Sequence, residues 1–214
     1  DEIFDQVFTM DQQSRAYYKR PLSNIVFMGM GEPLMNYKNV LLAIDKITDA
    51  RGLGLSPRRI TLSTSGIPKM IKKMADDKVR FRLAVSLHSA RQEIREQIMP
   101  FTKKIILTDL LESLRYWAEC TGQIITYEYV VWKHINDSQI DINALVAFCK
   151  QIPCKVNLIE YNPVEGTGFE SASSAAIQQY ISALEKSRIP VTFRRSRGRD
   201  IDAACGQLSN KRGS

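Results

Sequence analysis

Apolar and polar positions alternate between two periods along this chain. Short runs rich in β-branched and other apolar residues predict strands at 24–28, 59–63, 82–87, 124–132, 155–161 and 191–195. Between them, apolar residues recur every three or four positions. This predicts helices at 37–48, 68–76, 108–120, 139–151 and 175–187, preceded by the tail of another at 2–8. Pro68 suits a first helical turn, where its missing N–H costs nothing. The stretch 88–107 reads as irregular. Six strands alternating with helices imply βα units and a parallel sheet. Right-handed crossovers would curl that sheet, so the expected fold is α/β, a partial (β/α) barrel. No low-complexity linker divides it, and residues 1–214 read as one domain. The absence of a strand before Glu2, and a first residue that is Asp1, lead us to expect that the first βα unit lies upstream of an N-terminally truncated barrel.

Barrels of this kind bind ligands at the C-terminal ends of their strands. Here those ends read Gly29-Met30-Gly31-Glu32-Pro33, Ser63-Thr64-Ser65-Gly66, Ser86-Leu87-His88-Ser89 and Asn162-Pro163, each a small or polar cluster after an apolar run. Glycines 29 and 31 permit close approach of a ligand to the backbone, and Glu32 offers a charge for an ammonium or hydroxyl group. Ser65 or Ser89, taken singly, reads better as a helix N-cap. Four such clusters on one face fit a pocket for a polar organic ligand with ribose and amino-acid parts. His88 stands between a structural group and a base, and His134 receives no role. Walker loops, dinucleotide fingerprints, zinc-protease motifs and Ser-His-Asp sets are absent from the sequence.

Charge adds a partner. The chain carries a net charge of +7, and Lys186, Arg188, Arg194, Arg195, Arg197 and Arg199 crowd one stretch. Such a cluster fits nucleic-acid phosphates, against the alternative of a solvated basic face. No apolar run approaches the roughly 18 residues of a membrane span. The four cysteines form no zinc spacing and suggest a reducing, cytoplasmic setting. Cys120, on a helical apolar pattern, is expected to be buried. Cys205, in Asp200-Ile201-Asp202-Ala203-Ala204-Cys205-Gly206-Gln207-Leu208, sits among small residues near Arg197 and Arg199, which would stabilise a reactive thiolate.

These motifs, in this order from Glu2 to Leu208, resemble the RlmN and Cfr family of radical S-adenosylmethionine RNA methyltransferases. The resemblance implies methylation of carbon 2 of an adenosine in 23S ribosomal RNA, and in some transfer RNAs, with S-adenosylmethionine and a 4Fe–4S cluster as cofactors and a reducing electron donor. It implies that Cys205 takes a methyl group, loses a hydrogen to a 5′-deoxyadenosyl radical, adds to the adenine, and releases product by disulfide formation with a second cysteine. It matches Gly31, Glu32, Ser63, Ser86, Leu87, His88 and Asn162 to cofactor contacts, with backbone from Ser86 to His88 meeting the adenine edge. Arg194, Arg195, Arg197 and Arg199 match the RNA-binding rim. The family's Cys-x3-Cys-x2-Cys motif is not in this sequence. The expectation is that it precedes residue 1, with the second cysteine and an accessory domain, so that these 214 residues hold no metal and are inactive alone. A monomer suffices. The competing reading is a catalytically dead RNA-binding barrel.

Overall fold

Each predicted strand forms, and each pairs in parallel with its neighbour in sequence. The computed structural model describes residues 1–29, 31–162 and 168–195. Strands β1 (Ile25–Phe27), β2 (Ile60–Thr64), β3 (Arg82–Ser86), β4 (Ile125–Val130), β5 (Cys154–Ile159) and β6 (Val191–Arg194) lie in the order β1-β2-β3-β4-β5-β6. Helices α1 (Glu2–Tyr18), α2 (Tyr37–Thr48), α3 (Pro68–Asp76), α4 (Gln92–Ile98), α5 (Leu107–Thr121), α6 (Gln139–Cys149) and α7 (Ser174–Lys186) intervene. A sheet whose strands run in one direction in sequence order is singly wound, which puts the crossover helices on one side. This is the partial (β/α) barrel that the periodicity predicts.

Register separates the two faces. The rows Leu62–Leu83, Val85–Tyr127–Val156 and Tyr129–Leu158–Phe193 are apolar. They join Ile71, Met74, Leu110, Leu114 and Trp117 of the helices in one core. The rows Ser63–Ala84–Thr126–Lys155 and Ser86–Glu128–Asn157–Thr192 face the other way and are largely polar. The concave face of the barrel is therefore hydrophilic, as a ligand-holding surface requires. Capping is local: Ser138 and Asp141 form a reciprocal capping box on α6, and Ser173 accepts from Ala176 N–H on α7.

Two helices depart from the sequence pattern. α1 continues to Tyr18, well past residue 8, because its second half is polar nearly all round and carries no core-facing stripe to read. Its stop is Lys19 in the left-handed region, φ 56°. α4 lies within the stretch read as irregular, because the residue it buries is Arg95 rather than an apolar one. Cys120 is exposed, not buried. The last turn of α5 overhangs the N-terminal ends of the strands, where Cys120 lines an open cavity. The basic stretch 186–199 also divides. Lys186 and Arg188 precede β6 at one end of the sheet, and Arg194 and Arg195 leave it at the other. Among the described residues no helix is long and apolar enough to cross a membrane.

Candidate active site

A cavity of about 520 Å3 opens at the C-terminal ends of β1, β2 and β3. Gly29, Gly31, Glu32, Ser63, Ser86 and His88 line it, with Thr64, Ser65 and Trp132. Three of the four strand-end clusters read from sequence thus meet in one place, large enough for a cofactor-sized ligand. Gly31 has φ +90°, a conformation that a side chain would strain.

Glu32 organises the pocket. One carboxylate oxygen accepts from Leu34 N–H (3.0 Å) and the Thr64 hydroxyl (2.8 Å). The other accepts from Ser65 N–H (2.7 Å) and the Ser65 hydroxyl (2.6 Å). Four donors fill the usual capacity of a carboxylate. Ser65 is therefore no helix cap. α3 starts after Ile67 without a side-chain cap, and Ser89 only turns its own loop, bonding Arg91 N–H (3.1 Å). Two of the four donors to Glu32 are hydroxyls, which can rotate toward other acceptors, whereas the two backbone N–H groups cannot.

Arg95, missed by sequence reading, is fully buried beneath the pocket. Its guanidinium donates to the carbonyls of Leu87 (3.2 Å) and Ser65 (2.5 Å), clamping the ends of β2 and β3 together. Burial lowers its pKa to about 10, so it remains a cation at neutral pH. Only the structure could reveal it, since an arginine in a short helix carries no apolar signal.

His88 has φ 55°, and its Nδ1 accepts from Val130 N–H at 3.2 Å. Its ring meets Trp132 edge-on, and Trp132 packs in turn against Tyr161 and Phe169. Asn136, also missed, locks this loop. It accepts from Trp132 N–H (2.7 Å) and donates to the carbonyls of His88 (2.7 Å) and Val130 (2.9 Å). Desolvation, then the Arg95 charge, lowers the His88 pKa from 6.5 to about 4.

The backbone from Ser86 to His88 is largely committed. Leu87 N–H and His88 N–H both donate to the Glu128 carbonyl (3.0 and 3.3 Å). What faces the cavity here is the Ser86 side chain and the imidazole, while the Leu87 side chain is in the core. Asn162 is buried just beyond β5 and is not among the residues lining this cavity. Arg194 lies 3.7 Å from the buried Glu128 carboxylate, and Arg195 is exposed. Cys205, Arg197 and Arg199 lie outside the described residues, as do Met30 and Pro163.

The profile of the radical SAM superfamily matches residues 9–145, spanning β1 to β4 and the whole of this cavity. The chain belongs to the radical SAM superfamily.

Relatives in the superfamily narrow the neighbourhood. A protein of Christiangramia forsetii named "Probable dual-specificity RNA methyltransferase RlmN" is 63% identical over 211 residues, covering 99% of this chain and 60% of its own length. One of the same name from Flavobacterium psychrophilum is 64% identical over 210 residues, with 98% and 60% covered. Among solved structures, a radical SAM methyltransferase from Sphaerobacter thermophilus superposes with a TM-score of 0.92 at 35% identity, covering 96% of this chain and 60% of that one. The chain spans about 60% of the length of these relatives.

As in any folded protein, the depressed imidazole of this radical SAM domain has a thermodynamic consequence. Its folded pKa lies below its unfolded value, so between pH 6.5 and 4 the unfolded chain binds a proton that the folded chain refuses. Stability is fully present above pH 6.5 and falls as pH drops toward 4. The difference amounts to about 3 kcal/mol at most. His88→Asn, which tolerates positive φ, should remove this component. Urea denaturation of both proteins at several pH values checks it: parallel pH profiles would contradict the assignment.

Proposed function

We propose that the protein containing this chain is a radical SAM RNA methyltransferase. It methylates carbon 2 of an adenosine in 23S ribosomal RNA and in transfer RNA, by way of a methyl group carried on Cys205. The observation that carries this reading is the Glu32-centred cavity at the strand ends, taken with relatives named as RNA methyltransferases.

The residues present fit S-adenosylmethionine. Its α-ammonium can replace the Thr64 and Ser65 hydroxyls on Glu32, leaving both backbone N–H donors in place. A charge-assisted contact of that kind is stronger than the neutral ones it displaces. Ser63, Ser86 and His88 offer polar groups for the remainder and Gly31 leaves room beside the backbone, whereas the Leu87 side chain lies in the core and Asn162 outside this cavity. When bound, S-adenosylmethionine supplies an electrophilic methyl group and, on reductive cleavage, a radical able to take a hydrogen atom.

The Cys205 thiolate, its charge balanced by Arg197 and Arg199, would be the acceptor of the methyl group that S-adenosylmethionine supplies. Arg194 and Arg195, with Arg197 and Arg199, take the RNA phosphates at the rim. Among the described residues no three His, Cys, Asp or Glu side chains converge as a metal site, so a 4Fe–4S cluster does not fit them. We assign its cysteines to the remainder of the parent protein and expect the 214 residues alone to be inactive. A reducing electron donor serves the parent, which acts as a monomer in the cytoplasm.

The test uses the longer parent protein, ribosomal RNA from a strain lacking the modification, S-adenosylmethionine and a chemical reductant. Mass spectrometry should find 2-methyladenosine in the RNA and S-methylcysteine in the peptide holding Cys205. Cys205→Ala should abolish both. Methylated adenosine from the Cys205→Ala protein would overturn the cysteine route, and no methylation by the parent would favour a binding role.

A further inference from the structure

The opposite end of the barrel carries an unexplained charge. At the N-terminal ends of β2 to β5 a second cavity, of about 680 Å3, is lined by Arg58, Lys78, Arg80, Arg82 and Lys155, and by no carboxylate. These side chains come from the starts of β2, β3 and β5, so they form a row along the sheet edge. Arg58, Lys78, Arg80 and Arg82 are exposed, and every ion pair among the described residues uses other cations. Lys155 acts at a distance on the buried Glu128 carboxyl. Further cations precede β1, β2 and β6 at the same end: Arg20, Arg59 and Arg188.

Helix dipoles do not account for this. The C-termini of α2, α3, α5 and α6 reach this end, each worth roughly half a negative charge. Four of them balance about two cations of the five. The nearby carboxylates are already engaged: Asp77 takes Lys73 and the Tyr37 hydroxyl, and Asp76 takes the Tyr116 hydroxyl. An unbalanced row of cations is self-repelling, and it is relieved by a polyanion. Three strand spacings of about 4.8 Å make the row roughly 14 Å long. That length suits several consecutive phosphates rather than one small anion.

We propose that this basic row is a second nucleic-acid contact, in which Arg58, Lys78, Arg80, Arg82 and Lys155 hold the phosphate backbone of the RNA substrate. It rests on the reading of RNA as substrate. The rim at Arg194 and Arg195 lies at the other end of strands five or six residues long, roughly 17–20 Å away. A folded RNA presents phosphates well beyond the base being modified, and two separated contacts fix its orientation without reading its sequence.

The experiment measures binding of a fluorescein-labelled RNA hairpin to the 214-residue chain by anisotropy, across a series of salt concentrations. Arg58→Glu/Arg80→Glu should weaken binding at least tenfold and lower the salt slope by about two, one for each phosphate left without its cation. The milder Arg58→Gln/Arg80→Gln pair should shift both in the same direction, which covers the case in which the reversal fails to fold. Lys69→Glu/Arg115→Glu, exposed on the outer helices, makes the same charge change elsewhere and should leave the slope near wild type. Tight wild-type binding with an unchanged slope in both Arg58/Arg80 variants would overturn this inference alone. An equal loss in the Lys69/Arg115 control would reduce it to net charge. Failure of the wild-type chain to bind the hairpin would count against this contact, while the methylation assay on the parent still decides the enzymatic reading.

Discussion

Arg95→Met is expected to lower stability by about 3 kcal/mol, a fall in Tm of roughly 6–12 °C for a chain of this size. The substitution preserves most of the buried volume, so a large cavity is not the cause. Two carbonyls, Ser65 and Leu87, lose a charged donor in a site closed to water; Leu87 keeps Ser89 N–H at 2.7 Å, whereas Ser65 loses the donor it had. An unsatisfied acceptor costs about 1–3 kcal/mol and a lost bond to a charged donor about 1.5–3 kcal/mol. Removing a buried guanidinium returns some desolvation energy, which keeps the net below the sum of the two losses. The variant also removes a positive charge that depresses the His88 imidazole, so the His88 pKa should rise. Thermal denaturation with an NMR titration of the His88 ring separates the two effects. A variant as stable as wild type would mean that burying the guanidinium costs what its hydrogen bonds return.

Glu32→Gln should be nearly as damaging despite its identical shape. The carboxylate accepts from two backbone N–H groups, one on each oxygen. An amide has one oxygen and one NH2, so in either orientation a donor faces Leu34 N–H or Ser65 N–H. The Thr64 and Ser65 hydroxyls can rotate to accept, but the backbone cannot. One unpaired backbone N–H and the loss of charge-assisted bonds cost about 2–3 kcal/mol together. Thr64 is itself tied to Gly66 N–H at 3.0 Å, and a Cβ on Gly66 would stand 2.7 Å from Leu110. The β2 loop therefore has little freedom to relax. On the cofactor assignment proposed above, S-adenosylmethionine binding, measured by calorimetry on the 214-residue chain, should weaken at least tenfold, because the ammonium would lose its counter-charge. Unchanged affinity would remove Glu32 from the cofactor site and leave it a loop brace.

The elements with a regular apolar stripe were legible in the sequence. α2 and α3 have the bounds that their 3.6-residue pattern predicts, and each strand falls within a residue or two of its apolar run. Strand order and the pocket face followed from alternation and handedness. The strand-end clusters at Glu32, Ser63, Ser86 and His88 were legible for the same reason: a small or polar run after an apolar one marks where a strand leaves the core. Elements whose buried residue is charged or whose faces are polar were not. α4 turns on Arg95, and most of α1 has no stripe.

The sequence by itself determined an alternating α/β chain with small and polar clusters at one end of its strands and an excess of positive charge. Periodicity is local, and burial at every second or every third to fourth residue leaves a readable trace. Only the tertiary structure decided what those residues do to one another. It showed that Glu32 is held by four donors from β2 and its own loop, that Arg95 clamps two strand ends, and that Leu87 and His88 N–H are occupied by Glu128. It also split one basic stretch between opposite ends of the sheet, and it gathered five cations from the starts of three strands into one row. Those outcomes depend on which chain segments meet across the sheet, and contacts between residues thirty or more apart leave no period in a single sequence.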